Sequence, residues 1–132
     1  MSVLSRDAIL NASDRPTRNV EVPEWGGTVM VRGLTGAERD AYEASMVQAS
    51  PGGKVRTNLR NIRARLVALT CVDEDGARLF TDGDVEALGD KSAVAMERVF
   101  DVARKLSGLT EDDVEELAEG FGDAPNEPST SA

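Results

Sequence analysis

The carboxylates are the side chains in this sequence whose type and spacing could support catalysis or metal binding. Histidine is absent, which removes the commonest general base and the commonest metal ligand together. Cysteine occurs once, at Cys71, so one chain cannot form an internal disulfide or supply the nitrogen and sulfur ligands of a structural zinc site. Catalysis in this chain would therefore depend on aspartate and glutamate.

The acidic segment at 73–76 has the composition of a calcium-binding loop but lacks its spacing. An EF-hand loop has glycine at its sixth position and oxygen ligands at the first, third and fifth. Taking Gly76 as the sixth residue places Cys71 first, and taking Gly83 places Arg78 first. Neither residue supplies the required oxygen, so the sequence favours a turn that ends a helix and predicts no metal site.

Two carboxylate pairs, Asp82 with Asp84 and Asp112 with Asp113, are candidates for acid–base catalysis. Such catalysis needs two acids whose environments separate their pKa values. These pairs lie in polar, charged segments that begin predicted helices, where both carboxyl groups are expected to stay ionised. Helix capping and solvation explain them better. The sequence therefore predicts a binding protein that is not an enzyme and holds no cofactor.

A basic segment at 54–65 adjoins an apolar stripe on a helix predicted over 57–72. The stripe residues recur at helical spacing: Leu59, Ile62, Leu66 and Leu69. The basic segment contains five cations and no acid, and Arg56, Arg60 and Arg63 are predicted to line one helix face. Three uses are open: contact with nucleic acid, docking on an acidic protein, or internal pairing with acidic helices predicted over 81–119. Nucleic acid is the least favoured, because the net charge is −9 and no nucleic-acid motif is present.

The predicted last helix, at 110–119, is strongly acidic. It has six acidic side chains in ten residues. Its apolar edge consists of Val114, Leu117 and Ala118, and Phe121 follows. A helix this polar buries little surface and is marginal alone. It either folds onto the core or engages a partner.

These segments belong to a predicted mainly α fold, a small helical domain at 1–119 with an N-terminal β-hairpin and a disordered C-terminal tail. Apolar residues alternate on both sides of a glycine pair, which indicates a hairpin at about 19–32. Threonines followed three residues later by an acid mark helix starts. Helices are predicted at 5–12, 35–49, 57–72, 81–88, 92–107 and 110–119, before a flexible tail at 120–132. No apolar stretch is long enough to span a membrane, and the predicted location is the cytosol.

From about residue 7 to residue 119 the chain resembles the tail assembly chaperones of long-tailed bacteriophages. The resemblance is carried by VEVPEWGG at 20–27, VRGLTGAERD at 31–40, RLVAL at 65–69 and VDEDG at 72–76. FTD at 80–82 and LSGLT at 106–110 also fit. The order and spacing of hairpin, capped helix, arginine-rich helix and acidic turn carry the match, rather than any single piece.

The resemblance implies a non-catalytic protein that acts during virion assembly in the host cell cytoplasm and is absent from the mature virion. Such proteins keep the tape measure protein in solution and aid assembly of tail tube protein around it. They are often made in a second, longer frameshift product that shares the N-terminal part. The candidate client-binding residues are Leu59, Ile62, Arg63 and Leu66, or the edge formed by Val114, Leu117 and Phe121. The alternatives are a small nucleic-acid-associated regulator that uses the basic segment, or a structural tail component.

Overall fold

Over residues 2–109, which the computed structural model describes, the chain forms a mixed α/β fold. The helices are α1 (Arg6–Leu10), α2 (Gly36–Ser45), α3 (Ile62–Thr70), α4 (Val85–Gly89) and α5 (Ala93–Leu106). The strands are β1 (Thr17–Val22), β2 (Gly27–Arg32), β3 (Val47–Ser50), β4 (Lys54–Thr57) and β5 (Cys71–Val72). Short 3-10 turns lie at Pro23–Trp25, Pro51–Gly53 and Asp82–Asp84. The predicted helix at 110–119 and the predicted tail at 120–132 lie outside the described residues.

The predicted mainly α class is wrong, because two predicted helices are partly strands. The helix expected at 35–49 ends at Ser45, and the helix expected at 57–72 begins at Ile62 and ends at Thr70. Between them β3 and β4 pair in an antiparallel hairpin around Pro51–Gly53. Gly52 and Gly53 adopt φ values of 83° and 76°, which glycine adopts without strain. The Ser-Pro-Gly-Gly sequence therefore closes a hairpin here instead of linking two helices.

The N-terminal hairpin is present and extends from Thr17 to Arg32. β1 pairs antiparallel with β2, and β5 adds to the other edge of β2 through Val31 and Cys71. The sheet order is β1-β2-β5. Val20, Val22 and Val31 are buried, so one face of this sheet contributes to the core.

The core lies where α5 and α3 pack together and against this sheet. α5 places Ala95, Met96, Val99, Phe100 and Ala103 on its buried face, as its predicted periodicity indicates. α3 is buried on several sides rather than along one stripe, with Ala64, Leu66, Val67, Ala68 and Thr70 all inaccessible. α3 is therefore a central helix of the core.

A close approach of two backbones holds the start of α2 against the end of α5. A Cβ atom added to Gly33 would lie 2.6 Å from the carbonyl oxygen of Leu106. The Leu34 amide donates to the Ser107 hydroxyl at 3.1 Å. Leu109, the last described residue, is buried. The chain therefore leaves the described part of the fold close to the N-terminus of α2.

α1 stands clear of this core. Ser5 caps it by accepting from the Ala8 amide at 3.1 Å, which agrees with the short helix expected at 5–12. None of its residues is buried, and Ile9 and Leu10 are exposed. No helix found between residues 2 and 109 is both long enough and apolar enough to cross a membrane.

Candidate functional site

Two surface cavities lie on either side of the turn at 58–61, which links β4 to α3. The larger, here called the α2–α4 groove, has a volume of about 630 Å³ and is bounded by α2, α3, α4 and this turn. The smaller, here called the α3–α5 hollow, has a volume of about 300 Å³ and lies between the first turns of α3 and α5. Asn61 lines both cavities, so the turn is their shared wall.

The α2–α4 groove has a largely apolar floor and a charged rim. Its floor comes from three helices: Ala37, Ala41, Tyr42, Leu69 and Val85. Charged side chains stand around it: Glu38, Arg60, Arg65, Arg78, Asp82 and Glu86. Two rim pairs, Arg60–Glu86 at 2.9 Å and Arg78–Asp82 at 3.2 Å, are largely exposed. A groove of this kind suits the apolar face of a helix or an extended segment.

Sequence reasoning missed this groove. Leu69 was part of the predicted apolar stripe, but Ala41 and Val85 gave no separate signal. Ala37, Ala41 and Ser45 recur every four residues and therefore share one face of α2. That periodicity was the available signal, although it cannot show which other helices complete the cavity.

Arg65 fixes the turn that separates the two cavities. Its Nη1 donates to the Ser45 carbonyl at 2.8 Å and to the Ser45 hydroxyl at 2.9 Å. Its Nη2 donates to the Asn58 carbonyl at 2.7 Å, and its Nε donates to the Arg60 carbonyl at 2.9 Å. Burial lowers the pKa of Arg65, partly offset by Tyr42. One guanidinium thus joins the C-terminus of α2 to the turn.

Tyr42 supports the same wall from below. Its hydroxyl donates to the Ile62 carbonyl at 3.2 Å. Burial raises the pKa of Tyr42 to about 12, against the opposing influence of Arg65 and Arg63. The phenol therefore stays protonated at physiological pH, where it acts as a hydrogen-bond donor.

The structure brings together three of the four candidate residues predicted near α3. Leu59, Ile62 and Arg63 line the α3–α5 hollow, and Leu59 is 43% exposed. Arg63 pairs with Glu97 at 2.8 Å and lies 5.4 Å from the centre of the Phe100 ring. Together they form an apolar surface beside an ion pair.

Leu66 is placed differently. It is fully buried in the core, because α3 turns this side toward the body of the fold. Leu66 therefore contributes to folding and is not exposed to a partner in this structure. The other candidates, Val114, Leu117 and Phe121, lie outside the described residues.

The predicted basic helix at 54–65 is wrong, because its residues belong to three different elements. Lys54 and Arg56 lie on β4, Arg60 lies on the turn, and Arg63 lies on α3. Arg60 and Arg63 pair with Glu86 and Glu97, both within the acidic region at 81–119. Internal pairing therefore accounts for these two arginines, and no continuous basic helix face is present among the described residues.

The described residues with shifted pKa values have the chemistry of structural groups. Burial raises the pKa of the Cys71 thiol to about 12, which disfavours the nucleophilic thiolate. Hydrogen bonds from Arg98 and Arg104 lower the pKa of Glu24 and Asp101 respectively, opposite to the change that a general acid requires. Between residues 2 and 109 no three His, Cys, Asp or Glu side chains form a cluster that could hold a metal ion. The geometry thus favours binding of a macromolecule.

Comparison with known proteins points to one family. The phage tail assembly chaperone family matches residues 5–120 of this sequence. Among solved structures, the tail assembly chaperone of bacteriophage HK97 is similar, with a TM-score of 0.52 and 20% sequence identity. That similarity covers 76% of this chain and 94% of the HK97 chain, and at this identity it shows a shared fold. A search of curated protein sequences gives no significant match.

The family match extends over most of the sequence and includes the hairpin, the capped helix α2 and the arginine-containing helix α3. It confirms the resemblance that these segments predicted. The chain belongs to the phage tail assembly chaperone family.

Proposed function

We propose that this chain binds the tape measure protein of its phage through the α2–α4 groove and keeps that protein in solution during tail assembly. The family supports a non-catalytic chaperone role in tail assembly. The observation that carries the proposal is the apolar floor of a groove bounded by three helices and rimmed by exposed ion pairs. Such a floor can cover an apolar stripe on a helical client while the rim stays in water.

The α3–α5 hollow supplies a second contact in this proposal. Leu59 is exposed at its edge, and Ile62 lies beside it. Because Arg65 fixes the intervening turn, the two cavities keep a constant separation. A client helix long enough to cross the turn would therefore contact both cavities at once, which raises the combined affinity without a larger groove.

The proposal extends to the cellular role. The chain acts in the host cell cytoplasm, helps bring tail tube protein to the tape measure protein, and is absent from the finished virion. A longer frameshift product would share residues of the described fold and therefore the same cavities. Mass spectrometry of infected-cell lysate and of purified virions tests the location. Stoichiometric amounts in virions would instead identify a structural tail component.

Co-expression with the tape measure protein tests the groove directly. Ala41 and Ala44 are both exposed on α2, but only Ala41 lines the groove. Ala41→Glu places a charge on the apolar floor, where it must lose water when a client binds. Ala44→Glu adds the same charge to the same helix outside the floor. The soluble fraction of the tape measure protein is measured with wild type and with each variant.

We expect wild type and Ala44→Glu to keep the client soluble and Ala41→Glu to lose most of that effect. Circular dichroism and the urea midpoint of each variant check that the fold is intact. If the client is equally insoluble with and without the wild-type chain, the chaperone proposal is wrong. If both variants support solubility equally, the client binds elsewhere on the surface.

A further inference from the structure

The acidic residues that give this chain its net charge follow Leu109. Residues 110–132 carry eight acidic side chains and no basic one, whereas residues 1–109 carry sixteen acidic and fifteen basic side chains. The first twelve residues of the acidic segment also contain Val114, Leu117 and Phe121, spaced three and four residues apart. This spacing places the three apolar side chains on one edge of a helix.

The chain leaves the described fold beside the α2–α4 groove. Leu109 is buried, and Ser107 accepts a hydrogen bond from the Leu34 amide, just before α2 begins. Ala37 and Glu38, in the first turn of α2, form one end of the groove. The segment that starts at residue 110 therefore begins close to this end.

The dimensions of segment and groove agree. As a helix, residues 114–121 span about 10 Å, and Ala37 to Ser45 along the groove wall spans about 12 Å. Residues 110–113 can bridge up to roughly 14 Å when extended. The segment can therefore reach the groove and run along its length without any change in the described fold.

We propose that residues 110–121 occupy the α2–α4 groove of their own chain, with Val114, Leu117 and Phe121 against its floor. The rim arginines Arg60 and Arg78 then exchange their exposed partners for acids of the segment. The intramolecular contact stands on the geometry alone. Its consequence, that a client helix must displace the segment, rests on the proposed function.

A weak contact is sufficient for this arrangement because the segment is tethered. A short flexible link gives an effective concentration of about 1 mM. A segment that binds the groove with an intrinsic dissociation constant of about 0.1 mM would then occupy it about nine-tenths of the time. A client with micromolar affinity can still displace it, so the segment acts as a reversible competitor and shields the apolar floor before the client arrives.

Cross-linking in the full chain tests the contact. Leu117→Cys is combined either with Ala41→Cys, on the groove floor, or with Asp40→Cys, exposed on α2 but not lining the groove. The buried Cys71 stays unreactive toward a bismaleimide under native conditions. We expect the Ala41 pair to form an intramolecular cross-link about tenfold faster than the Asp40 pair in dilute protein.

Two results would overturn the contact. Equal rates for the two pairs would show that the segment does not favour the groove. Cross-linked dimers without cross-linked monomers would show that the groove takes the segment of a second copy. Leu117→Ser combined with the original pair of sites, labelled with a fluorophore at Ala41→Cys, should expose the floor and shift the emission toward that of label in water.

A second measurement separates this inference from the proposed function. Leu117→Ser should raise the apparent affinity for tape measure protein about tenfold, because the competitor is lost. If cross-linking succeeds but neither wild type nor Leu117→Ser binds the client, the proposed function fails and the contact stands. If the client binds both proteins equally and the cross-link is absent, the inference fails and the proposed function stands.

Discussion

Arg65 shows how much one side chain contributes to the shape of the candidate site. It donates to the carbonyl groups of Ser45, Asn58 and Arg60, and therefore replaces the backbone partners that an irregular turn lacks. Its charge has no carboxylate partner among these contacts. The sequence presented Arg65 as one of five cations in a basic segment, and nothing in its spacing distinguished this internal role from surface exposure.

Replacing Arg65 should therefore destabilise the fold. Arg65→Met keeps the aliphatic stem but leaves these carbonyl oxygens without their donor, and we expect a loss of about 2–3 kcal/mol in the free energy of unfolding. Urea denaturation followed by circular dichroism measures it. Arg56→Met, on the exposed strand β4, is the control and should change stability little. Equal effects of the two variants would show that Arg65 is dispensable to the turn.

Cys71 provides a probe of the same core. It is fully buried, and burial raises its pKa to about 12, so almost no thiolate is present at pH 8. We expect a thiol reagent such as 5,5′-dithiobis(2-nitrobenzoate) to react only when the protein unfolds. The reaction rate should rise steeply across the urea transition and match the unfolding curve from circular dichroism. Rapid labelling in native buffer would contradict the placement of Cys71.

At the scale of elements, the contact between the β2–α2 connection and the end of α5 holds the most distant parts of the chain together. A Cβ at Gly33 would lie 2.6 Å from the Leu106 carbonyl oxygen, whereas a Cβ at Gly36 would meet nothing within 4 Å. The obstacle at Gly33 is backbone, which cannot rotate away as a flexible side chain can. These two glycines therefore have different roles despite lying three residues apart.

We expect Gly33→Ala to destabilise the fold by about 1–3 kcal/mol, because α5 must move to accept the methyl group. Gly36→Ala is the matched control, and in the first turn of α2 it should be neutral or slightly stabilising. Thermal unfolding of both variants measures the difference. A Gly33→Ala protein as stable as Gly36→Ala would show that the two backbones are not in close contact in solution.

The elements that the sequence predicted are those with local signals. The hairpin at 17–32 has alternating valines, α5 has a clear apolar face, and Glu38 completes the capping box of Thr35 through hydrogen bonds in both directions. The missed strands had weaker signals. β3 and β4 are four residues each and largely exposed, so they lack the apolar alternation that marks a half-buried strand.

The candidate site was predictable only in part for a related reason. Leu59, Ile62 and Arg63 are close in sequence, and a helical pattern grouped them correctly. The groove floor combines Ala41, Leu69 and Val85 from three helices, so tertiary packing alone brings them together. The same packing buries Leu66, since an apolar stripe has the same sequence pattern whether it faces a core or a partner.

At the scale of the whole molecule, ion pairs connect segments that are far apart in the chain. Arg98 on α5 holds Glu24 of the N-terminal hairpin through two hydrogen bonds of 2.9 and 3.0 Å. This contact lowers the pKa of Glu24 and raises the pKa of Arg98. The pair thus joins the first sheet to the last described helix on the outside of the core.

The lowered pKa of Glu24 predicts the direction of an acid effect. Above the ordinary glutamate value of 4.5 the ionised carboxylate contributes stability, and this contribution is lost as the pH falls through the lower folded value. Glu24→Gln should therefore flatten the decline in stability below about pH 4.5. Urea midpoints between pH 7 and pH 2.5 measure it. Glu74→Gln, in an exposed turn, is the control and should leave the slope unchanged.

The way Arg65 anchors the turn at 58–61 also determines how the two cavities respond to ionic strength. The rim pairs Arg60–Glu86 and Arg63–Glu97 are solvent-exposed and weaken as counterions screen them. The partly buried bonds from Arg65 to neutral carbonyl groups are screened much less, so the shared wall keeps its position. Concentrated electrolyte therefore leaves the apolar floors correctly spaced, and a complex held by them should persist where a purely coulombic one dissociates.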